Sequence, residues 1–208
     1  MYTLYYFPRT CALASHIALE QSGAPYEAVR VDFTANEQRS PEYLKVNPKG
    51  RVPALVTPRG VLTENPAILQ FVAQSHPTAD LAPLDDPFAL ATMNAFASYL
   101  CATVHVAHAH AARSYRWADD PAAQAAMKAK VTQNMTDCFE IIERDLFAGP
   151  WVLGERYSVA DPYLYTITRW LPGDGVDVAR FPKVAAHQQR MAAEPAVQRV
   201  LAAQGLTA

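Results

Sequence analysis

The sequence predicts an α/β domain followed by an all-helical one. Two observations carry this. In the first third, strand-type and helix-type patterns alternate in the order β-α-β, hairpin, helix. After a proline-rich stretch near residue 80, strand signals nearly vanish and apolar residues recur at three- and four-residue steps. The implied division is an α/β unit over 1–77, a linker over 78–87 and a helical unit over 88–208.

Residues 2–6, "YTLYY", read as a strand. Leu13, Ile17 and Leu19 lie at helical spacing within 11–22, and Gly23 supplies a stop. Tyr26 to Val31, "YEAVRV", alternates with period two and reads as a second strand. "SPEYLKVNPKG" is a helical turn running into a Pro/Gly-rich loop, and "VPALVTPRGVL" has the form of a hairpin turning at Pro58-Arg59-Gly60. Asn65 before Pro66 reads as an N-cap followed by proline at the first helical position. That helix carries Ile68, Leu69, Phe71 and Val72 and stops before Pro77. A βαβ unit implies a parallel strand pair with a right-handed crossover. The hairpin adds antiparallel strands, which makes a small mixed sheet with helices on its faces.

Asp86 and Pro87 then open a long helix, with Leu90, Met93, Ala97, Leu100, Val104 and Ala107 on one face. Asp119, Asp120 and Pro121 open a second, carrying Val131, Met135, Cys138, Ile142 and Leu146 and ending at Gly149-Pro150. Ser158 and Asp161 stand at capping-box spacing, with Asp in place of the usual Glu or Gln. Two short helices fit 183–193 and 196–203.

Half of the 208 residues are apolar, enough for a sizeable core. The formal net charge of −2, without runs of like charge, favours neither nucleic acid nor an acidic membrane surface as partner. No apolar stretch reads as a membrane span, and the N-terminus lacks the layout of a signal peptide. Cys11, Cys101 and Cys138 are odd in number and far apart, which is neither a disulfide framework nor a zinc pattern. A reducing cytoplasm is the expected compartment, and Cys11 a free thiol.

Three motifs point to chemistry. Cys11 follows a strand and a turn and opens a helix, whose unpaired N–H groups favour a thiolate. The plainer alternative is a small hydrophobe packed under the turn. In "GRVPAL", Pro53 starts a strand, as a proline must if the ladder is to stay intact. With a cis Val52-Pro53 bond, the Val52 backbone can pair with an extended peptide; with a trans bond, Pro53 merely opens an edge strand. In "TENPAI", a helix start at Asn65 can hold a carboxylate and Glu64 an ammonium, in addition to plain capping.

Together the motifs describe a site for a small thiol peptide. "LYYFPRTCALASHIAL", "YLKVNPKGRVPAL", "LTENPAILQFVA" and "YSVADPYLYT" resemble, in order and over nearly the whole chain, the motifs of cytosolic glutathione transferases of the bacterial beta class. The resemblance implies a thioredoxin-like N-terminal domain with a cis proline, a helical-bundle C-terminal domain and a homodimer. It implies Tyr5 and Cys11 beside the glutathione sulfur, Val52 and cis Pro53 at the cysteinyl backbone, and Glu64 and Asn65 at the γ-glutamyl end. His105 falls where beta-class enzymes have a histidine near the thiol. Ser98, a heptad earlier, replaces a frequent asparagine of the glutathione site, and Val106 stands where a lysine is common.

The activity so implied is conjugation of the glutathione thiolate to small apolar electrophiles, a detoxification chemistry, with Cys11, Tyr5 and His105 as catalytic candidates and no metal. Phe7, Tyr115, Trp117 and Trp170 are candidates for an apolar wall over the second-substrate pocket, or for core packing. Two rivals remain. In one, Cys11 attacks a disulfide or peroxide and glutathione resolves the mixed disulfide. The other is a non-catalytic binding module that kept the fold. Cys11 is expected to react before Cys101 and Cys138, which fall on helical faces expected to be buried. His105, His108 and His110 crowd together, but on a helix His110 lies far round from His108, so the three do not converge on a metal. His105 is expected to face the cleft and His110 away from it.

Overall fold

In the computed structural model, which describes residues 1–207, a four-stranded mixed sheet runs in the order β2-β1-β3-β4. β1 (Tyr2–Tyr6) pairs parallel with β2 (Tyr26–Arg30), and α1 (Ala12–Ser22) crosses between them. β3 (Ala54–Thr57) runs antiparallel to β1 and to β4 (Gly60–Thr63). The hairpin closes at Thr57↔Gly60, so its turn is the pair Pro58-Arg59 and Gly60 already belongs to β4. The short helix α2 (Pro41–Val46) is capped by Ser40, whose hydroxyl accepts the Tyr43 N–H at 3.1 Å. α3 (Asn65–Ser75) completes this half.

Leu4 and Leu55 of the sheet pack against Ala14, Ala18 and Leu19 of α1 and Ile68, Leu69 and Val72 of α3, all fully buried. Strand alternation sends Tyr5 to the opposite side from Leu4. There its ring meets Tyr43 of α2 edge-on at 5.7 Å.

The expected long helix is a continuous rod made of α4 (Pro87–Tyr99), a wider π turn (Leu100–Val104) and α5 (His105–Arg113). Asp86 caps it through the N–H groups of Phe88 and Ala89. By length and composition the run 87–116 is apolar enough to cross a membrane, against the expectation that no stretch would be. In this fold its Met93, Phe96, Leu100 and Val104 enter the core instead. The second expected helix divides into α6 (Pro121–Ala129) and α7 (Val131–Ile141), followed by a second π turn at Ile142–Leu146. The break comes at Lys130, whose N–H is shared between the carbonyls of Ala126 and Met127, a tightened last turn. α8 (Ala160–Thr168), α9 (Pro182–Ala193) and α10 (Pro195–Ala203) follow. The segment expected to be a linker is itself packed, with Leu81 and Ala82 buried and the Leu81 carbonyl accepting the Val159 N–H at 2.8 Å.

Every residue of α8 is buried, and the helix lies against both α1 and α9. Its first turn is held by the Asp161 carboxylate, which accepts from the N–H groups of Val152 and Ser158, each at 2.8 Å, and from His187 Nε2 at 3.1 Å. The capping box is realised with Asp, because the bond to the Ser158 N–H is the reciprocal half of that motif. Asp161→Ala would leave these buried donors without partners. We expect it to cost about 3–5 kcal/mol of stability, read as a lowered midpoint in urea. An unmoved midpoint would show that the donors find other acceptors.

Candidate active site

A cleft opens where the start of α1, the loop before β3 and the start of α3 face α5. It holds two adjoining cavities, of about 340 and 140 Å³, that share Cys11, Arg51, Val52, His105 and Arg116. Chain geometry brings these together. After β1, residues 7–10 form a turn in which the Thr10 hydroxyl donates to the Phe7 carbonyl at 2.7 Å and Arg9 takes φ 63. Cys11 follows as the residue capping α1. The Val52-Pro53 bond is cis, as the peptide-pairing alternative requires. The Cys11 thiol donates to the Val52 carbonyl across 3.6 Å, a long contact suited to sulfur.

Asn65 differs from expectation. Glu64 is the N-cap, at φ 73, and Asn65 is already the first helical residue. The Asn65 side chain turns inward: its Nδ2 donates to the Cys11 carbonyl at 2.6 Å and its Oδ1 accepts from the Ser15 hydroxyl at 2.5 Å. It ties α3 to α1 and places Cys11, so its side chain is not free for a ligand. Glu64 is exposed and pairs with Lys49 at 2.5 Å. Its positive φ with ψ 121, rare for a residue with a side chain, marks a position held by its surroundings.

Electrostatics also departs from expectation. Burial pushes the Cys11 thiol up to about 12, with the Arg113 charge opposing and Cys101 adding to the rise. The residue keeps some surface open to the cleft, but its sulfur is surrounded by protein. Desolvation therefore outweighs the helix N-terminus, and Cys11 is a neutral thiol rather than the expected thiolate. Burial likewise lowers His105 to about 4, helped by His108, Arg113, Arg51 and Arg116, so its imidazole is neutral at physiological pH.

Of the residues singled out from sequence, Cys11, Val52, Pro53, Glu64, Asn65, His105 and Trp117 line the smaller cavity, and Tyr115 and Trp170 line the larger. Tyr5, Phe7 and Ser98 line neither. Tyr5 is turned to Tyr43 by the strand alternation. Phe7 lies one layer back, stacked at 4.8 Å on Phe33, which itself reaches the cavity. Ser98 is exposed, because the π turn between it and His105 breaks the heptad phase. His108 holds the buried Asp174 at 2.8 Å and stacks on Trp170 at 4.3 Å, while His110 lines neither cavity and packs on Trp117, which lines the smaller one.

Sequence reasoning missed Cys101 and Tyr163, which close the smaller cavity; Cys101 is half-buried at the cleft rather than sunk in the core. It also missed Arg9, Arg39, Arg51, Arg113 and Arg116, which line the larger cavity. Arg9 and Arg51 lie within two positions of Cys11 and Val52, and Arg113 and Arg116 flank Tyr115. Their proximity to the motif residues was the available signal.

A thioredoxin-like domain with a cis proline, joined to an all-helical domain across a cleft that contains a thiol, defines a class of two-domain thiol-handling proteins. The family model of the glutathione S-transferase N-terminal domain matches residues 1–74, and that of the C-terminal domain residues 106–204. The chain is 34% identical over 206 residues to glutathione S-transferase GstA of Escherichia coli O157:H7, covering 98% of both chains. Among solved structures, a glutathione transferase homologue from Sulfitobacter with bound glutathione superposes with a TM-score of 0.95 at 46% identity, over 99% of each chain. A bacterial beta class glutathione S-transferase from Sphingomonas chungbukensis superposes with a TM-score of 0.85 at 33% identity, over 99% of this chain and all of the other. The chain belongs to the glutathione S-transferase family.

Two outcomes follow from this geometry. Asn65→Ala strands the Ser15 hydroxyl and the Cys11 carbonyl, at about 1–3 kcal/mol for each group left unsatisfied; thermal unfolding checks the loss, and an unchanged transition would refute the clamp. With a thiol held near 12, alkylation of Cys11 by iodoacetamide in the absence of glutathione should still be accelerating at pH 10, where an ordinary cysteine has levelled off. Peptide mapping by mass spectrometry measures this. A plateau below pH 9 would return Cys11 to the thiolate reading.

Proposed function

We propose that this protein is a glutathione transferase of the beta class that adds the glutathione thiolate to a small electrophile. The observation that carries the reading is the Cys11 thiol lying against the Val52 carbonyl beside cis Pro53, with Glu64 on the rim of the same cavity. In this reading the Val52 backbone pairs with the cysteinyl unit of glutathione as an added strand would. Glu64 exchanges Lys49 for the γ-glutamyl ammonium, and the N–H groups at the start of α3 receive the γ-glutamyl carboxylate. The neutral Cys11 thiol and the neutral His105 imidazole donate hydrogen bonds to the glutathione sulfur, which favours its thiolate form.

The thiol level of Cys11 favours conjugation over the disulfide-exchange rival. Exchange needs a Cys11 thiolate as attacking group, whereas conjugation uses the sulfur of glutathione and needs Cys11 only as a donor. We also propose the homodimer of the family. Phe88 is 82% exposed on α4, and Val61 and Leu84 also show apolar surface to solvent, area that a second copy can cover.

The test pairs retention on immobilised glutathione with assays on a chlorodinitrobenzene and on a mixed disulfide. We expect conjugation by the wild type and its persistence, reduced, in Cys11→Ala. Glu64→Ala should raise KM for glutathione about tenfold or more, the size of a lost charge-assisted hydrogen bond. Mixed-disulfide reduction that dominates in the wild type and vanishes in Cys11→Ala would favour the exchange chemistry. Retention on immobilised glutathione without turnover in either assay would favour the non-catalytic module.

A further inference from the structure

The larger cavity carries an unusual charge. Five arginines line it, and its lining contains no carboxylate. Among the described residues none of the five is in an ion pair, whereas Arg144, Arg180 and Arg199 elsewhere on the chain each hold one and Arg156 holds two. The protein as a whole is slightly acidic, so the concentration is local and does not reflect composition. The nearby buried carboxylate of Asp174 is already held by His108. Gathering like charges without counter-ions costs free energy unless an anion occupies the site.

Glutathione accounts for part of this field, through its glycyl carboxylate and its thiolate. Arg51 and Arg116 border both cavities and stand beside Val52, where the tripeptide is proposed to lie. Arg39, from the turn before α2, reaches Gly50 in the loop before β3. Arg9 and Arg113 line the larger cavity but not the smaller one. The Arg9 carbonyl accepts the Trp170 indole N–H at 3.2 Å, and Trp170 with the stacked His108 forms a flat wall. Arg113 lines the same cavity as Cys11, and its charge is the strongest pull toward ionisation felt by the Cys11 thiol.

We propose that the second substrate is an aryl or conjugated electrophile bearing a carboxylate, with its flat body against Trp170 and its carboxylate held by Arg9 and Arg113. This rests on the transferase reading above and names the substrate class for the same site. A planar guanidinium suits a carboxylate through paired N–H groups, and two of them beside a flat aromatic wall select a flat anion over a neutral analogue. For an aryl chloride the balance is simple. Glutathione loses its thiol proton to solvent, the sulfur forms a bond to the ring carbon, the carbon–chlorine bond breaks and chloride leaves.

The test compares chloronitrobenzoate with the corresponding chloronitrobenzamide, each rate being divided by its uncatalysed rate with glutathione. We expect kcat/KM for the carboxylate to exceed that for the amide about tenfold or more, the scale of a charge-assisted hydrogen bond. Arg9→Gln and Arg113→Gln should each shrink that ratio, chiefly through KM of the electrophile and not of glutathione. If the amide reacts as well as the carboxylate, the proposal fails while the transferase reading stands. If Arg113→Gln lowers both rates equally, the guanidinium serves the glutathione thiolate, and its assignment to the electrophile fails. If neither compound is conjugated although the protein is retained on immobilised glutathione, both readings fall.

Discussion

The geometry of the cleft depends on one buried amide. Asn65 spends its side chain on the Cys11 carbonyl and the Ser15 hydroxyl, joining the first turn of α3 to the first turn of α1. These helices otherwise meet only through apolar surfaces such as Ala14, Ala18, Ile68 and Leu69, which resist separation but tolerate sliding. Directional hydrogen bonds remove that freedom. They set where Cys11 stands relative to Val52, and Glu64, one residue before the amide, is set by the same contact.

Burial decides the chemistry of the groups placed this way. It drives Cys11 up and His105 down, so both are neutral groups lining a cavity crowded with guanidinium groups. The charge in the site is carried by arginines, which keep their protons under desolvation far better than histidine or cysteine changes them. In the proposed reading, anions would meet fixed cations and neutral donors, and no group of the site would have to change protonation for a thiolate to be accommodated.

The helical half supports this arrangement from behind. α8 is wholly buried, touches α1 directly, and supplies Tyr163 to the smaller cavity. Its start is fixed by Asp161, and its far end leads through Trp170 into the wall of the larger cavity. Core packing and the site thus share one element, and strain introduced at Asp161 has a short path to the cleft.

Much of this was legible in the sequence. Periodicity and punctuation placed the four strands, the major helices and the order βαβ-ββα, since main-chain hydrogen bonding and apolar faces follow local pattern. Cys11 and Glu64 were legible at a turn and a helix start, whereas the cis Val52-Pro53 bond and the cleft-facing His105 came from the family resemblance of the motifs. Tertiary structure alone decided what those residues face. Asn65 turned inward because a buried serine and carbonyl offered better partners than its own helix. Ser98 was lost from the cleft because a π turn altered the phase, and Tyr5 because Tyr43 covers its face of the sheet. The ionisation of Cys11 and the gathering of five arginines from separate segments belong to the same category. Desolvation and electrostatic fields sum over everything within several ångströms, and a linear pattern does not record which distant segments come that close.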